Sequence, residues 1–123
     1  MLDTVTFIWA VDSPDLLSKK AIAALEDDEA EREISTVSLS EVAIKHTKGK
    51  LNFGKETIVM ALRDLRLQVL PYTADHALQM FGLALHHNDP FDRQIIAQAM
   101  AEDIPIITSD RAFRLYKEVK VIW

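Results

Sequence analysis

The sequence contains no cysteine, and this absence excludes several classes of protein. Without thiols the chain cannot form disulfides, bind zinc through cysteine or use a thiol as a nucleophile. Only three glycines interrupt it, and it contains no repeat, linker or low-complexity segment. A chain without cysteine suits a reducing compartment, so we expect a cytoplasmic protein.

Basic residues and long apolar runs are also scarce. Fourteen lysines and arginines stand against 19 aspartates and glutamates, which gives a net charge of -5. No overall basic character indicates nucleic acid, so any such contact must be local. The run VTFIWAV lies between Asp3 and Asp12 and is too short for a membrane span. The 123 residues, 49% of them apolar, predict one soluble domain over residues 1–123.

Short apolar runs rich in β-branched residues alternate with segments of helix length. Strands are predicted at four places: EISTV at 33–37, QVLPY at 68–72, IPIIT at 104–108 and VKVIW at 119–123. A short helical turn is expected between the last two. This alternation predicts an α/β fold with a parallel sheet.

Capping signals predict where several helices begin. Ser13 with Pro14 predicts one start, and Ser38 with Glu41 has the S-x-x-E spacing of a capping box. Thr73 is the predicted cap of a third helix. Four apolar residues of that third helix are expected to face the core: Ala77, Met80, Phe81 and Ala84.

The segment DPFDRQIIAQAMAE, residues 89–102, predicts a further helix. Asp89 is placed as its N-cap, Pro90 as its first residue and Asp92 three positions after the cap. Apolar residues occupy much of its circumference, so this helix should be buried on more than one side.

Four acidic residues fall near the carboxyl ends of predicted strands or in the helices that follow them. They are Asp3, Glu41, Asp92 and Asp110. Ligands bind at this edge of an open parallel sheet, so we expect the four carboxylates to converge. They would repel one another without a cation, and Mg²⁺ or Mn²⁺ is the usual partner. Because such ions activate water beside a phosphodiester, the pattern predicts phosphodiester hydrolysis.

Each acid also has a purely structural interpretation. Glu41 can complete a capping box with Ser38, Asp92 can satisfy helix-terminal N–H groups, and Asp110 can be a turn residue. For Asp3 a purely structural role is the least plausible of the four, because a carboxylate among apolar residues is costly to bury without a partner.

Histidines and basic residues also lie near the acids in the sequence. His86 and His87 point about 100° apart on a helix and lack the companions that zinc requires, so we predict no metal role for them. His46 and His76 are expected at the surface. Six basic residues are candidates for phosphate contacts: Lys45, Lys48, Lys50, Arg93, Arg111 and Arg114. Ordinary surface charge, including a pair between Lys45 and Glu41, is the alternative.

Five segments occur in order along nearly the whole chain: LDT at 2–4, SLSE at 38–41, DPFDRQIIAQA at 89–99, IPIITSDRAF at 104–113 and VKVIW at 119–123. Together they resemble the PIN domain family, in its branch of VapC-like toxins. The resemblance implies a three-layer α/β/α fold with a central parallel sheet of four to five strands. It also implies a helix at 5–10, where β-branched and aromatic residues alone predict a strand. Relatives carry more residues before the motif, so we expect a short or truncated first strand.

The same resemblance implies an activity, a Mg²⁺- or Mn²⁺-dependent endoribonuclease in which a metal-activated water attacks RNA. The family's acidic quartet corresponds to Asp3, Glu41, Asp92 and Asp110. Supporting groups would be Thr4, Thr108 and Asp89, and for Asp89 direct metal contact is the alternative. Members of this branch are toxins neutralised by a small antitoxin. They often form homodimers and cleave structured RNA such as tRNA.

Two other functions stay open. A catalytically silent PIN-like module that binds RNA or a protein is favoured by the short first strand. A receiver-type phospho-acceptor domain also clusters acids at strand ends. Such domains need a lysine after the last strands, where this chain has Asp110 and Arg111 instead.

Overall fold

The computed structural model describes residues 1–123. Six helices are present: α1 Thr4–Asp12, α2 Lys19–Glu26, α3 Thr36–Thr47, α4 Lys55–Asp64, α5 Ala74–Gln79 and α6 Pro90–Glu102. Four short strands alternate with them: β1 Glu33–Ser35, β2 Gln68–Leu70, β3 Ile106–Ile107 and β4 Val121–Ile122. Single turns of 3-10 helix occupy Pro14–Leu16, Met80–Gly82 and Arg111–Leu115. The predicted mixture of helices and strands is confirmed, and none of the helices has both the length and the apolarity to cross a membrane.

The strands form two parallel pairs, β1 with β2 and β3 with β4. Leu2 bridges in parallel to Ile34 of β1 and to Ile107 of β3, so the first residues lie between the two pairs. The Leu2 N–H donates to the carbonyl of Glu33 at 2.8 Å, and the Ile107 N–H donates to the carbonyl of Met1 at 2.9 Å. Parallel pairing is therefore as predicted, whereas one sheet of four to five strands stays a prediction.

Residues Thr4–Asp12 form a helix although their composition favours a strand. The Asp3 carboxylate explains the difference, because it accepts the Thr6 N–H at 2.6 Å as the N-cap of α1. Thr6 and Phe7 are completely buried on the inner side of this helix. The cap and tertiary packing override the intrinsic strand preference, as the family resemblance implies.

The first predicted helix begins later than its sequence signal indicates. Ser13 and Pro14 start only a 3-10 turn, and the Ser13 side chain makes no capping hydrogen bond. Helix α2 begins at Lys19, where the Ser18 hydroxyl accepts the Ala21 N–H at 3.1 Å. Two serines compete as caps here, and the second one bonds to the helix.

The predicted capping box between Ser38 and Glu41 is wrong. Strand β1 ends at Ser35, whose hydroxyl accepts the Val37 N–H at 3.0 Å, so α3 already begins at Thr36. Glu41 therefore lies inside the helix, where no free N–H remains for it to cap.

Thr73 caps α5 as predicted, but of the four residues expected to face the core only Met80 does so, half-buried against the apolar cluster. Phe81 is 91% exposed and Ala77 and Ala84 are exposed, whereas Leu83 is buried. The α-helix ends at Gln79 and tightens into a 3-10 turn with three residues per turn. This change of period rotates the apolar stripe out of the core.

His76 is buried and does not lie at the surface as predicted. Its Nδ1 accepts the Thr73 N–H at 3.0 Å, which completes a capping box at the start of α5. Its Nε2 lies 2.9 Å from the Glu102 carboxylate at the end of α6. The residue therefore joins two helices. His46 is exposed, as expected.

Helix α6 is buried on several sides, which confirms its prediction. Its residues from Ile95 to Ala99 are all buried, and five consecutive positions cover more than one face. The four apolar ones among them belong to a cluster of 11 buried apolar residues that includes Ile106 and Phe113. A second cluster of seven, around Phe7, packs beneath α1 to α4.

One completely buried polar side chain on α6 links it to the strands. Gln98 accepts a hydrogen bond from the Ser35 hydroxyl at 2.6 Å through its Oε1. Its Nε2 donates to the Pro71 carbonyl at 3.2 Å, just after β2. Because Ser35 also caps α3, this amide holds three elements in register.

Replacing Gln98 with leucine should lower the free energy of unfolding by about 2 kcal/mol, because the Ser35 hydroxyl would lose its buried acceptor. Urea denaturation measures this change. The matched control is Gln94→Leu on the same helix, since Gln94 makes only an exposed hydrogen bond to Pro90. That variant should stay within about 0.5 kcal/mol of the natural protein. Equal losses in both variants would contradict the linking role.

Candidate functional site

Asp3 is the most buried of the four predicted acids, with 3% of its surface exposed. It follows the bridging residue Leu2, and its N–H donates to the carbonyl of Ile107 at 3.2 Å. Burial raises the pKa of the Asp3 carboxyl, and the nearby charge of Asp110 adds to the effect. Hydrogen bonds from Thr108 and Thr6 oppose it. A carboxylate this deeply placed favours a compensating cation.

Asp92 is the third residue of α6 and has the most perturbed titration in the site. The pKa of its carboxyl is raised to about 7, mainly by burial; the charge of His87 lowers it, and the charges of Asp89, Asp3 and Glu41 raise it. The N–H groups of Phe91 and Asp92 itself are already satisfied by Asp89. Capping is therefore the task of Asp89, as predicted, and the Asp92 carboxyl is left free for the site.

Asp110 begins the 3-10 turn that follows β3. Its Oδ1 accepts the Ala112 N–H at 2.8 Å, and its own N–H donates to the Thr108 hydroxyl at 3.0 Å. Burial opposes ionisation of Asp110, but hydrogen bonds from Ala112 and His87 and the charge of His87 outweigh it, so its pKa is lowered. Asp110 is both a turn residue and a charged member of the site.

Glu41 lies one and a half turns into α3 and is 8% exposed. Its Oε1 accepts a hydrogen bond from the Lys45 ammonium at 2.6 Å, the predicted i, i+4 pair. Its Oε2 is buried without any hydrogen-bond partner, and the hydroxyls of Thr4 and Ser38 are in the same condition. Buried polar atoms normally have partners, so these oxygens point to a ligand.

His87 is the participant that the sequence interpretation missed. Its Nε2 lies 2.8 Å from Asp110 Oδ2 and 3.2 Å from Asp92 Oδ2, so the ring joins two of the predicted acids. Its Nδ1 accepts the Asp89 N–H at 3.1 Å, which leaves Nε2 as the protonated nitrogen facing the carboxylates. The ring also packs edge-on against Phe113. The sequence does contain one indication of this role, because His87 lies only two positions before Asp89, the cap of the helix that carries Asp92.

The four acids that the sequence singles out share one region of the structure. Asp92 responds to the charges of Asp3 and Glu41, Asp3 responds to that of Asp110, and His87 bridges Asp92 and Asp110. Ligand atoms of His87, Asp92 and Asp110 all lie within 4.8 Å of one another. The donor set consists mostly of carboxylate oxygens, some of them unpaired, and therefore fits a hard divalent cation.

The basic residues near the acids have different roles. The Arg93 guanidinium donates to the backbone carbonyls of Leu83, Ala84 and His87, so it holds the segment before α6. Lys45 pairs with Glu41. The remaining four candidates for phosphate contact are exposed: Lys48, Lys50, Arg111 and Arg114.

The raised pKa of Asp92 predicts how the stability of the metal-free protein depends on pH. A carboxyl whose pKa is higher in the folded state is destabilising once ionised, so stability should fall as the pH rises from about 4 to about 7. In EDTA at pH 8, Asp92→Asn should therefore raise the free energy of unfolding by about 1 kcal/mol, with little change at pH 4. Urea denaturation at both pH values tests this. Glu118→Gln, an exposed change of equal charge, should have no such effect.

Comparisons with known proteins identify the same fold. A crystal structure of VapBC2 from Rickettsia felis bound to promoter DNA contains a chain with a TM-score of 0.72 at 19% identity, and the match covers 98% of this chain and 95% of that one. A chain in DNA-bound VapBC from Salmonella typhimurium has a TM-score of 0.75 at 19% identity, covering 98% and 94%. A chain in FitAB bound to the IR36 DNA fragment has a TM-score of 0.58 at 18% identity, covering 98% and 91%.

No curated protein matches the chain. The model of the PIN domain family, in contrast, matches residues 1–119, which is nearly the whole length. This match includes all four acids of the site and agrees with the fold comparisons. The chain belongs to the PIN domain family.

Proposed function

We propose that this chain is a Mg²⁺- or Mn²⁺-dependent endoribonuclease and the toxin of a toxin–antitoxin pair. PIN domains are generally nucleases, and the solved structures with a similar fold are VapBC and FitAB complexes. The observation that carries the proposal is the acidic site itself. Asp3 is deeply buried, Asp92 has a pKa of about 7, and the Oε2 of Glu41 has no partner.

In this proposal the fold is one domain with three layers, in which Leu2 joins the two strand pairs into a single parallel sheet. The carboxyl edge of that sheet carries Asp3 and leads to Asp110, while α3 and α6 supply Glu41 and Asp92. These four carboxylates hold the cation. When bound, the ion lowers the pKa of coordinated water and stabilises charge that develops on the scissile phosphate.

Other side chains orient the four acids. The Thr108 hydroxyl accepts the Asp110 N–H and bonds to Asp3, so it holds two acids at once. The unpartnered Thr4 hydroxyl offers one more oxygen at the base of the site. Asp89 supports the site by capping α6, which fixes the direction of Asp92. The His87 N–H fixes Asp92 and Asp110 relative to each other.

Asp3→Asn and Asp92→Asn should each reduce Mn²⁺-dependent cleavage of RNA by at least about 100-fold, because each removes a charge that binds the ion. Gel assays with tRNA and with a single-stranded RNA measure the loss. Asp103→Asn is the matched control at the far end of α6, where asparagine tolerates the left-handed backbone with φ of 54°. The control should cleave at the natural rate.

Thermal unfolding separates the nuclease from a catalytically silent PIN-like module. An ion present at ten times its dissociation constant stabilises the natural protein by about 1.4 kcal/mol, and this gain should disappear in Asp92→Asn. Absence of any ion-dependent stabilisation, together with undiminished RNA binding, would favour the silent module. Full cleavage activity in both asparagine variants would rule out the assigned site.

The partners of this chain follow from the same proposal. We expect a small antitoxin, since the structurally similar VapBC and FitAB are complexes, and a homodimer of the toxin itself.

A surface near α5 supports self-association, because its large apolar side chains are more than half exposed. They are Leu78, Phe81, Leu85 and Leu115. Exposed large apolar side chains often mark a protein–protein interaction site.

Light scattering after gel filtration should give about 28 kDa for the isolated chain, twice its 13.9 kDa. Phe81→Asp should shift the mass to that of a monomer, because it places a charge in an apolar contact. Leu16→Asp, also on an exposed leucine, should leave the dimer intact. Co-expression with the protein of the adjacent reading frame should yield a larger complex. A monomeric natural chain that binds no such protein would contradict both partner assignments.

A further inference from the structure

A cavity of about 600 Å³ lies beside β4, outside the acidic site. Four basic side chains line it, Lys20, Arg114, Lys117 and Lys120, and no acidic side chain does. The floor is apolar and includes the buried Val119. A volume of this size accommodates a small ligand or one unit of a polymer.

The positive charge of this cavity is uncompensated. None of its four basic residues forms an ion pair, although the whole protein carries a net charge of -5. Lys20 also lies in the first turn of α2, where the helix dipole is already positive. A lysine at that position is unfavourable for the helix and strengthens the local field. The charges are therefore concentrated on one face of an otherwise acidic molecule.

The cavity is connected to the acidic site by a single structural element. Asp110 begins the 3-10 turn Arg111–Leu115, and Arg114 lies near the end of the same turn. Four residues of 3-10 helix span about 8 Å. A single RNA strand that reaches the acids can therefore also reach Arg114 at the cavity.

We infer that this cavity, the β4 cavity, binds the sugar–phosphate backbone of the RNA substrate a few nucleotides away from the scissile bond. The four cations contact phosphates, and the half-buried ring of Trp123 at the cavity wall offers a surface on which a base can stack. This inference rests on the proposed function, because it assigns where the substrate of the acidic site is held. It also explains how an acidic protein retains RNA, since binding is local.

Lysines beside β4 have another physical explanation. The strand pairs only with β3, so its outer edge is open, and lysines on such edges prevent pairing with another chain. That explanation accounts for Lys120 next to the strand. Lys20 on α2 and Arg114 on the 3-10 turn are not part of the edge, yet they line the same cavity. Convergence of three elements on one cavity favours a ligand.

The test is the binding of a fluorescein-labelled 20-nucleotide RNA in EDTA, where metal-dependent cleavage is suppressed. The double variant Lys117→Gln/Lys120→Gln should weaken binding by about tenfold. The slope of log affinity against log salt should decrease by about 1.4, which corresponds to two lost phosphate contacts. Lys55→Gln/Arg63→Gln on α4 removes the same charge elsewhere. This control should bind within about threefold of the natural protein, with an unchanged slope.

Equal weakening in the two double variants would overturn the inference, because net charge would then explain both. It would also be overturned if the cavity variant aggregated while its remaining soluble fraction bound RNA normally, which is the result expected if the lysines only protect the strand edge. Loss of binding to polyglutamate without loss of RNA binding would assign the cavity to an acidic peptide instead.

Failure of the proposed function is a separate result. In that case a dinucleotide, which spans only the scissile bond and cannot reach the cavity, would not be cleaved with Mn²⁺ whatever the affinity for the longer RNA.

Discussion

Everything at the functional edge depends on how the backbone of residues 1–3 is held between β1 and β3. The Leu2 N–H donates to Glu33, the Ile107 N–H donates to Met1, and the Asp3 N–H donates to Ile107. These bonds fix Asp3 at the end of its segment, where its carboxylate caps α1 and also enters the acidic site. One residue therefore belongs both to the cap of α1 and to the acidic site, because the same backbone contacts position both.

The acidic site is a local source of instability that the rest of the chain offsets. Burying Asp3 and Asp92 near Glu41 raises the pKa of the two aspartates, and the Oε2 of Glu41 remains unpaired. Proteins usually pair their buried charges and buried polar atoms, and exceptions to this rule are commonly found at functional sites. The opposite contribution comes from α6, whose apolar positions complete the larger cluster while Gln98 satisfies the buried Ser35 hydroxyl. The helix that carries Asp92 is thus also firmly packed in the core.

Local sequence signals predicted well wherever one short-range interaction decides the structure. Asp89 caps α6 and Thr73 caps α5 as expected, since a cap depends on three or four neighbouring residues. Where two signals compete, the sequence cannot rank them, and Ser35 took the role expected of Ser38 because β1 ends there. The predicted core position of Phe81 is wrong because the α-helix changes to a 3-10 turn just before this residue.

The sequence by itself determined the order of helices and strands, the acid-rich ends of the strands and the family, because these depend on residue type and spacing. Only the tertiary structure decided which oxygens lack partners and which side chains meet. His87 shows the difference, because it lies in a loop without any periodic signal and contacts Asp110, which is 23 positions away in the sequence. The β4 cavity is a second case, since Lys20 approaches Lys120 only when α2 packs beside β4. Contacts between distant segments depend on packing geometry, which local preferences do not specify.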